Sequence, residues 1–364
     1  MLRPMQHRTV HPSFHLPLVQ HFSPNLYAIT MGTGILALMM GKLPWEAAFK
    51  TGELLWMLNA LLFCGFSVLF GLKALLYPTE TRQVLDHPTQ SLFLGAVPMG
   101  LATVINGLLE YGLPLWGSRV VPFAQHLWML DAVLALITCT LVPYRMFTRS
   151  QHPLKEMTAL WLLPVVAPEV TAASAGLLIP HLSQHAWGML CTSYVLWAFS
   201  VPLALMLLTV LVLRLTQHQL PGREMALSMF LPIGPLATAA LALLQLGGAA
   251  GPVLAAQNLP SLTPVLQGIG LVGGLVLWGF ACWWLVLALL TTCRYLKTGL
   301  PFNLGWWGLT FPVGVFSAAT FALADVTHLT LLRHMATALV GVLVLLWMLV
   351  TLRTLQHQMQ PSNT

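Results

Sequence analysis

Residues 304–325, LGWWGLTFPVGVFSAATFALAD, run for 21 positions without a charge until Asp325 ends them. At a rise of about 1.5 Å per residue, a helix of that length crosses a hydrocarbon core of roughly 30 Å. Similar apolar runs recur near 22–40, 54–77, 90–109, 127–147, 157–178, 186–214, 225–246, 265–292 and 334–355. They are continuous instead of alternating. Lipid offers no partner to an unpaired N–H or C=O, so each run has to satisfy its backbone internally as a helix. The whole composition agrees: 57% of the 364 residues are hydrophobic and 7% are charged, against about 25% charged in a soluble domain. With a mean hydropathy of +0.79, the chain reads as an all-α polytopic membrane protein of ten transmembrane helices.

The charges assign sides. An even number of spans puts both termini on one face. The loops and tails of that face hold Arg3, Arg8, Lys73, Arg82, Arg145, Arg149, Lys155, Arg214, Arg223, Arg294, Lys297 and Arg353, whereas the other face holds Lys42, Lys50, Arg119 and Arg333. The excess of Lys and Arg marks the cytoplasmic side. The expected organisation is a cytoplasmic tail (1–20), a ten-helix membrane domain (21–355) and a second cytoplasmic tail (356–364), in the plasma (inner) membrane. The start, MLRPMQHRTVHPSFH, has no apolar core followed by a small-residue cleavage site, so no cleaved signal peptide is expected. The net charge of +6 is spread between spans. It forms no basic cluster suited to nucleic acid. Cys64, Cys139, Cys191, Cys282 and Cys293 fall in or beside apolar segments with no CxxC spacing, so a disulfide framework is not expected.

The prolines reveal a repeat. Pro24, Pro98, Pro168, Pro235 and Pro312 are separated by 74, 70, 67 and 77 residues, with Pro164 and Pro232 as companions. Each falls in the body or entrance of an odd-numbered span. A period near 70 residues that contains two spans is a five-fold helical hairpin. Proline removes an N–H and displaces a carbonyl, leaving a polar gap. Lipid tolerates such a gap only where protein or water fills it. Glycines such as Gly32 and Gly34 accompany these breaks. The expected architecture is therefore an inner ring of five proline-kinked helices around a pore, inside an outer ring of five straighter ones. Gly32, Gly34, Pro98, Pro164, Pro168, Pro232, Pro235 and Pro312 are the candidate pore-lining breaks.

Four segments carry a family resemblance: FSPNLYAITMGTGILAL (22–38), HPTQSLFLGAVPMGLAT (87–103), WLLPVVAPEVTAASAG (161–176) and PFNLGWWGLTFPVGVFSAATFALA (301–324), with a weaker echo in SMFLPIGPLATAA (228–240). Together they resemble the tellurite-resistance/dicarboxylate transporter family, which includes malate permeases, fungal sulfite efflux pumps and guard-cell slow anion channels. The resemblance spans residues 20–355. It implies homotrimers in which each protomer has its own pore, and it implies that Phe311 stands where channel members carry an aromatic plug.

An anion must shed part of its hydration to cross, and a fixed cation in the pore would hold it too tightly to leave. No Lys or Arg lies in the middle of any odd span. Backbone N–H groups at helix breaks can supply diffuse positive potential instead, with hydroxyls such as Thr33, Thr103, Thr238 and Thr310 as weak donors. The partners implied are small inorganic or organic anions and the lipid bilayer. Glu169, in VVAPEV, departs from the apolar residue usual in the family. Ionised, it would repel anions. Protonated, it either carries protons with the transported species or bonds a carbonyl freed by Pro164 or Pro168. Asp131 and Asp325 are expected near span ends, capping or pairing locally. The spacings of His7, His11 and His15, and of His181 and His185, allow a metal on one helical face. Pro12 interrupts the first set and no carboxylate or cysteine supports the second, so neither metal nor cofactor is expected. No HExxH, GxSxG or P-loop pattern points to an enzyme or an ATP-driven pump. The function expected is gated transport of small anions. Proton-coupled export of a C4-dicarboxylate, tellurite or sulfite is the alternative, and a membrane-embedded enzyme or redox subunit is the rival from another class.

Overall fold

A computed structural model describes residues 16–149 and 152–359. The histidines at positions 7, 11 and 15 lie outside them. Among the described residues the protein is helical throughout, with no strand. Ten α-helices of twelve residues or more are formed: α1 (Tyr27–Gly41), α2 (Glu46–Leu76), α3 (Ala96–Gly107), α4 (Val120–Arg149), α5 (Leu163–Leu178), α6 (Ala186–His218), α7 (Ile233–Ala256), α8 (Thr263–Leu296), α9 (Thr310–Thr327) and α10 (Thr330–Met359). Among the described residues, eight helical runs are long and apolar enough to cross a membrane, one of them the run Ser91–Arg149 that carries α3 and α4 together. The 15-residue α1 is not among them. This is a multi-pass membrane protein.

Burial alternates along the chain. The most apolar stretch is 100% buried in the run holding α7 and 94% in the run holding α5, but 11% in α2 and 22% in the run holding α10. On the even helices Leu61, Leu130, Met206, Val272 and Leu345 are exposed. Such a continuous apolar surface suits hydrocarbon, not water. The buried helices pack in a cycle: α1 on α3, α3 on α5, α5 on α7, α7 on α9, and α9 back on α1. Each even helix lies against the odd helix before it.

Every odd helix is entered through a 3-10 segment: Pro24–Leu26, Ser91–Gly95, Ala159–Leu162, Arg223–Phe230 and Leu304–Leu309. The prolines sit at these entrances. Pro98, Pro235 and Pro312 are each the third residue of their α-helix, Pro164 is the second of α5, and Pro232 is the N-cap of α7. A first-turn N–H has no intrahelical acceptor, so proline costs little there. The breaks are thus entrance breaks, and Pro168 is the one of these residues inside a helix body.

Two helices begin earlier than hydropathy suggests. α2 starts at Glu46, with Lys50 Nζ 2.9 Å from Glu53 Oε2 inside its first turns. α4 starts at Val120, after a turn at Gly117 (φ +67°) and with Pro122 tolerated in its first turn. The longer α4 corrects the reading of Asp131. That residue is fully buried far from either end of its helix, and its Oδ2 accepts a 2.7 Å hydrogen bond from Thr171 Oγ1 of α5. Asp325 does pair locally, with Arg333 at 2.5 Å.

A tryptophan from each even helix latches the next odd helix. Trp56 Nε1 donates to the Val104 carbonyl, Trp128 to that of Thr171 and Trp197 to that of Ala239, at 3.2, 2.9 and 3.1 Å. Trp278 donates to Thr320 Oγ1 at 2.9 Å and Trp347 to Thr33 Oγ1 at 3.0 Å. The last of these bonds joins α10 to α1.

Candidate functional site

Among the described residues, one cavity is lined by all five odd helices and another by the 3-10 segments that lead into them. The larger, about 240 Å³, takes Ile35 and Leu38 from α1, Ala102, Thr103 and Asn106 from α3, and Val170 and Ala173 from α5; Thr238, Leu241 and Gln245 come from α7, and Phe311, Val315 and Ala318 from α9. Positions three, four or seven apart share a helix face. One face of each odd helix is therefore turned inward. At the C-terminal ends of these helices the lining adds Lys42, Glu110 and Asp325, with Lys42 Nζ 2.9 Å from Glu110 Oε2.

The smaller cavity, about 160 Å³, is lined by Asn25, Phe93, Leu160, Ser228, Leu231, Asn303 and Trp306, among others. It therefore lies at the opposite, N-terminal end of the same five helices, which all run in one direction. Their N-terminal N–H groups, and the positive ends of their dipoles, face this end. The two linings do not meet. On α9 and its entrance they are separated by Trp307–Thr310, and Phe311, only 4% exposed, is the first residue of the larger cavity on that strand of the ring.

The other candidate residues have different places. Gly32 and Gly34 pack helix on helix. A Cβ at Gly32 would lie 2.2 Å from Thr310 Oγ1, and one at Gly34 2.0 Å from Thr103 Oγ1. Neither glycine, and none of Pro98, Pro164, Pro168, Pro232, Pro235 and Pro312, is in the lining of either cavity. Their rigid or minimal side chains let the ring close tightly. Of the four hydroxyls, Thr103 and Thr238 line the larger cavity, and each donates inside its own helix, to the Gly100 and Gly234 carbonyls. Thr33 faces Trp347, and Thr310 donates to the Trp307 carbonyl. Glu169 is fully buried outside both linings, beside Ser200 of α6 and Cys139 of α4. Neither carboxyl oxygen has a hydrogen-bond partner, and the Ser200 hydroxyl donates to the Val165 carbonyl at 2.7 Å.

The cage of five parallel helices is mostly apolar, with neutral amides and hydroxyls in its linings and, among the described residues, Lys42 as the lining cation, a setting that suits a weakly bound anion. Residues 21–355 match the family model described as "SLAC1: Voltage-dependent anion channel". The chain belongs to this family. It is a membrane anion transporter. Among similar proteins, a sulfite efflux pump of Arthroderma otae is 37% identical over 310 residues, covering 83% of this chain and 81% of its own. An uncharacterised transporter of Methanocaldococcus jannaschii is 25% identical over 346 residues, covering 93% and 94%. A malic acid transport protein of Schizosaccharomyces pombe is 24% identical over 315 residues, covering 82% and 70%.

Two lining residues escaped the sequence reading of this family member, Asn106 and Gln245. Their signal was register: Asn106 is three residues beyond Thr103 and Gln245 seven beyond Thr238, on the same helix faces. The latch tryptophans escaped too, although their intervals of 72, 69, 81 and 69 residues are close to those of the prolines.

Proposed function

We propose that this protein exports a small oxyanion, sulfite foremost, through a lumen that joins the two cavities, with Phe311 as the plug between them. The observation that carries this reading is the placement of Phe311, buried at the inner end of the larger cavity where the two linings fail to meet. The similar sulfite efflux pump gives the substrate class. The ten helices then form five hairpins, inner odd and outer even, in each protomer of a homotrimer, as the family resemblance implies. The small cavity faces the cytoplasm, since Lys and Arg crowd the loops at that end. There the helix N-termini draw the anion in, and the membrane potential, negative inside, drives it out.

The test is flux of sulfite from proteoliposomes under an imposed potential, for wild type and Phe311→Ala. Removing the ring takes away the apolar barrier, so the variant should conduct faster by at least about tenfold, the effect of some 1.4 kcal/mol on a barrier. A well-folded variant with wild-type flux would remove the plug. A wild type that passes no sulfite would remove the substrate.

The second reading is proton-coupled transport of a dicarboxylate such as malate. It is favoured by the malic acid transport protein among similar chains and by two fully buried carboxyls, Asp131 and Glu169. We rank it lower because neither carboxyl lines a cavity.

A further inference from the structure

The larger cavity contains two carboxamides among aliphatic side chains, Asn106 on α3 and Gln245 on α7. These helices are not neighbours in the ring; α5 lies between them. Their height can be read from glycine contacts. A Cβ at Gly95 would lie 2.2 Å from the Leu163 oxygen, and one at Gly176 would lie 2.6 Å from Gln245 Cβ. Asn106 is eleven residues beyond Gly95, as position 174 is beyond Leu163. Since the helices run in parallel, Asn106 is level with residue 174 of α5 and Gln245 with Gly176, about 3 Å apart in height. Gly32 meets Thr310 and Gly34 meets Thr103, so Phe311 is level with about residue 102 of α3. The amide layer is then roughly 6 Å beyond the aromatic ring.

Asn106 Oδ1 and Gln245 Oε1 are buried without a hydrogen-bond partner. Each carboxamide carries an NH2 donor on the same carbon, and rotation of the amide presents that donor to an anion in the cavity. The nearby hydroxyls of Thr103 and Thr238 are already spent on helix carbonyls, and Lys42, the cation of the lining among the described residues, is bound to Glu110. Polar side chains in such a site are costly unless something occupies them.

We propose that Asn106 and Gln245 form an oxyanion-binding site on the far side of Phe311, in which two neutral amide donors on different walls each hold one oxygen of a polyatomic anion. A halide accepts from several donors only where they converge on its one centre; donors on walls set apart by α5 are matched better by an anion with separate oxygens, so the site favours oxyanions such as sulfite or a carboxylate. A cavity of about 240 Å³ holds such an anion with part of its hydration, a water occupying about 30 Å³ of liquid. Neutral donors also release the anion more readily than a lysine would. The proposal rests on the oxyanion-transport reading above and names the residues that set its selectivity.

The experiment compares sulfite with chloride flux in proteoliposomes for wild type, Asn106→Leu, Gln245→Leu and the isosteric Gln245→Glu. Losing one hydrogen bond to a charged ligand should lower the sulfite-over-chloride preference about tenfold in each leucine variant. Gln245→Glu, which keeps the side-chain volume and replaces a donor with an acceptor, should lower it at least as far in protein that remains monodisperse. An unchanged preference in Gln245→Glu and in either leucine variant, with wild type transporting sulfite, overturns the site and leaves the transport reading intact. If wild-type vesicles pass no sulfite, the transport reading fails. Calorimetric titration of sulfite into solubilised wild type and Gln245→Glu then tests the site alone: weaker binding to the variant supports it, equal affinity overturns it.

Discussion

Alanine at Gly95 would test whether the inner ring is held by backbone contact. Gly95 ends the 3-10 segment before α3, and a Cβ there would stand 2.2 Å from the Leu163 oxygen, 2.5 Å from its carbonyl carbon and 2.6 Å from Pro164 Cα. Ordinary contact begins near 3.4 Å, so the two helix entrances must part by about an ångström. All three obstacles are main chain or attached to a fixed proline, and none can rotate aside. Overpacking a well-filled interior costs about 1–3 kcal/mol, and this site belongs at the upper end, about 3 kcal/mol. The check is the midpoint of heat-induced loss of the monodisperse species in detergent, measured beside Gly279→Ala. Gly279 has nothing within 4 Å of its would-be Cβ, and removing a glycine from a helix interior gains up to about 1 kcal/mol. Gly95→Ala should melt several degrees lower, and Gly279→Ala at or above wild type. If Gly95→Ala melts with wild type, or both substitutions destabilise alike, backbone contact is not what sets the ring spacing.

Three further outcomes are expected. At the mouth of the larger cavity, Lys42→Ala leaves Glu110 uncompensated and should slow anion flux, while Glu110→Gln should raise it; both effects should shrink in high salt, because exposed charges are screened within about 8–10 Å. Cysteines introduced at Ala173 and Ala318, in a background without native cysteine, should react with a water-soluble thiol reagent in Phe311→Ala protein, and cysteines at Val272 and Leu345 should not; the opposite pattern would put the even helices, not the odd, around water. Glu169→Gln should keep the wild-type pH response of transport, since this carboxyl lies outside both linings; a response abolished by the substitution would restore proton coupling.

Much of the architecture was legible because lipid simplifies the code. Continuous apolar runs admit one backbone solution, and the proline period separated buried from exposed helices before any contact was known. What hydropathy could not give was the position of polar atoms around each helix. Asp131 looked peripheral because a hydropathy window discounts Val120–His126, yet those residues extend α4 by two turns and carry the carboxyl inward to Thr171. Gly32 and Gly34 were read as facing a lumen, whereas they face Thr310 and Thr103 of neighbouring helices. A glycine marks close approach without saying to what. Asn106 and Gln245 were passed over because an amide in a span carries no charge to draw the eye. Phe311 owed its candidacy to family resemblance; its burial in the lining of the larger cavity needed coordinates.

The indole bond from Trp347 to Thr33 joins residues 314 positions apart. A stack of hairpins that grew outward would have two unlike ends, and evolution could lengthen it by adding units. This one returns to its origin: the last helix, through its indole, is bonded to the first, and neither end of the chain of odd helices is left free. During synthesis the first helix must therefore wait, one flank uncovered, until the last emerges. A chain halted before α10 would keep that flank open to the bilayer.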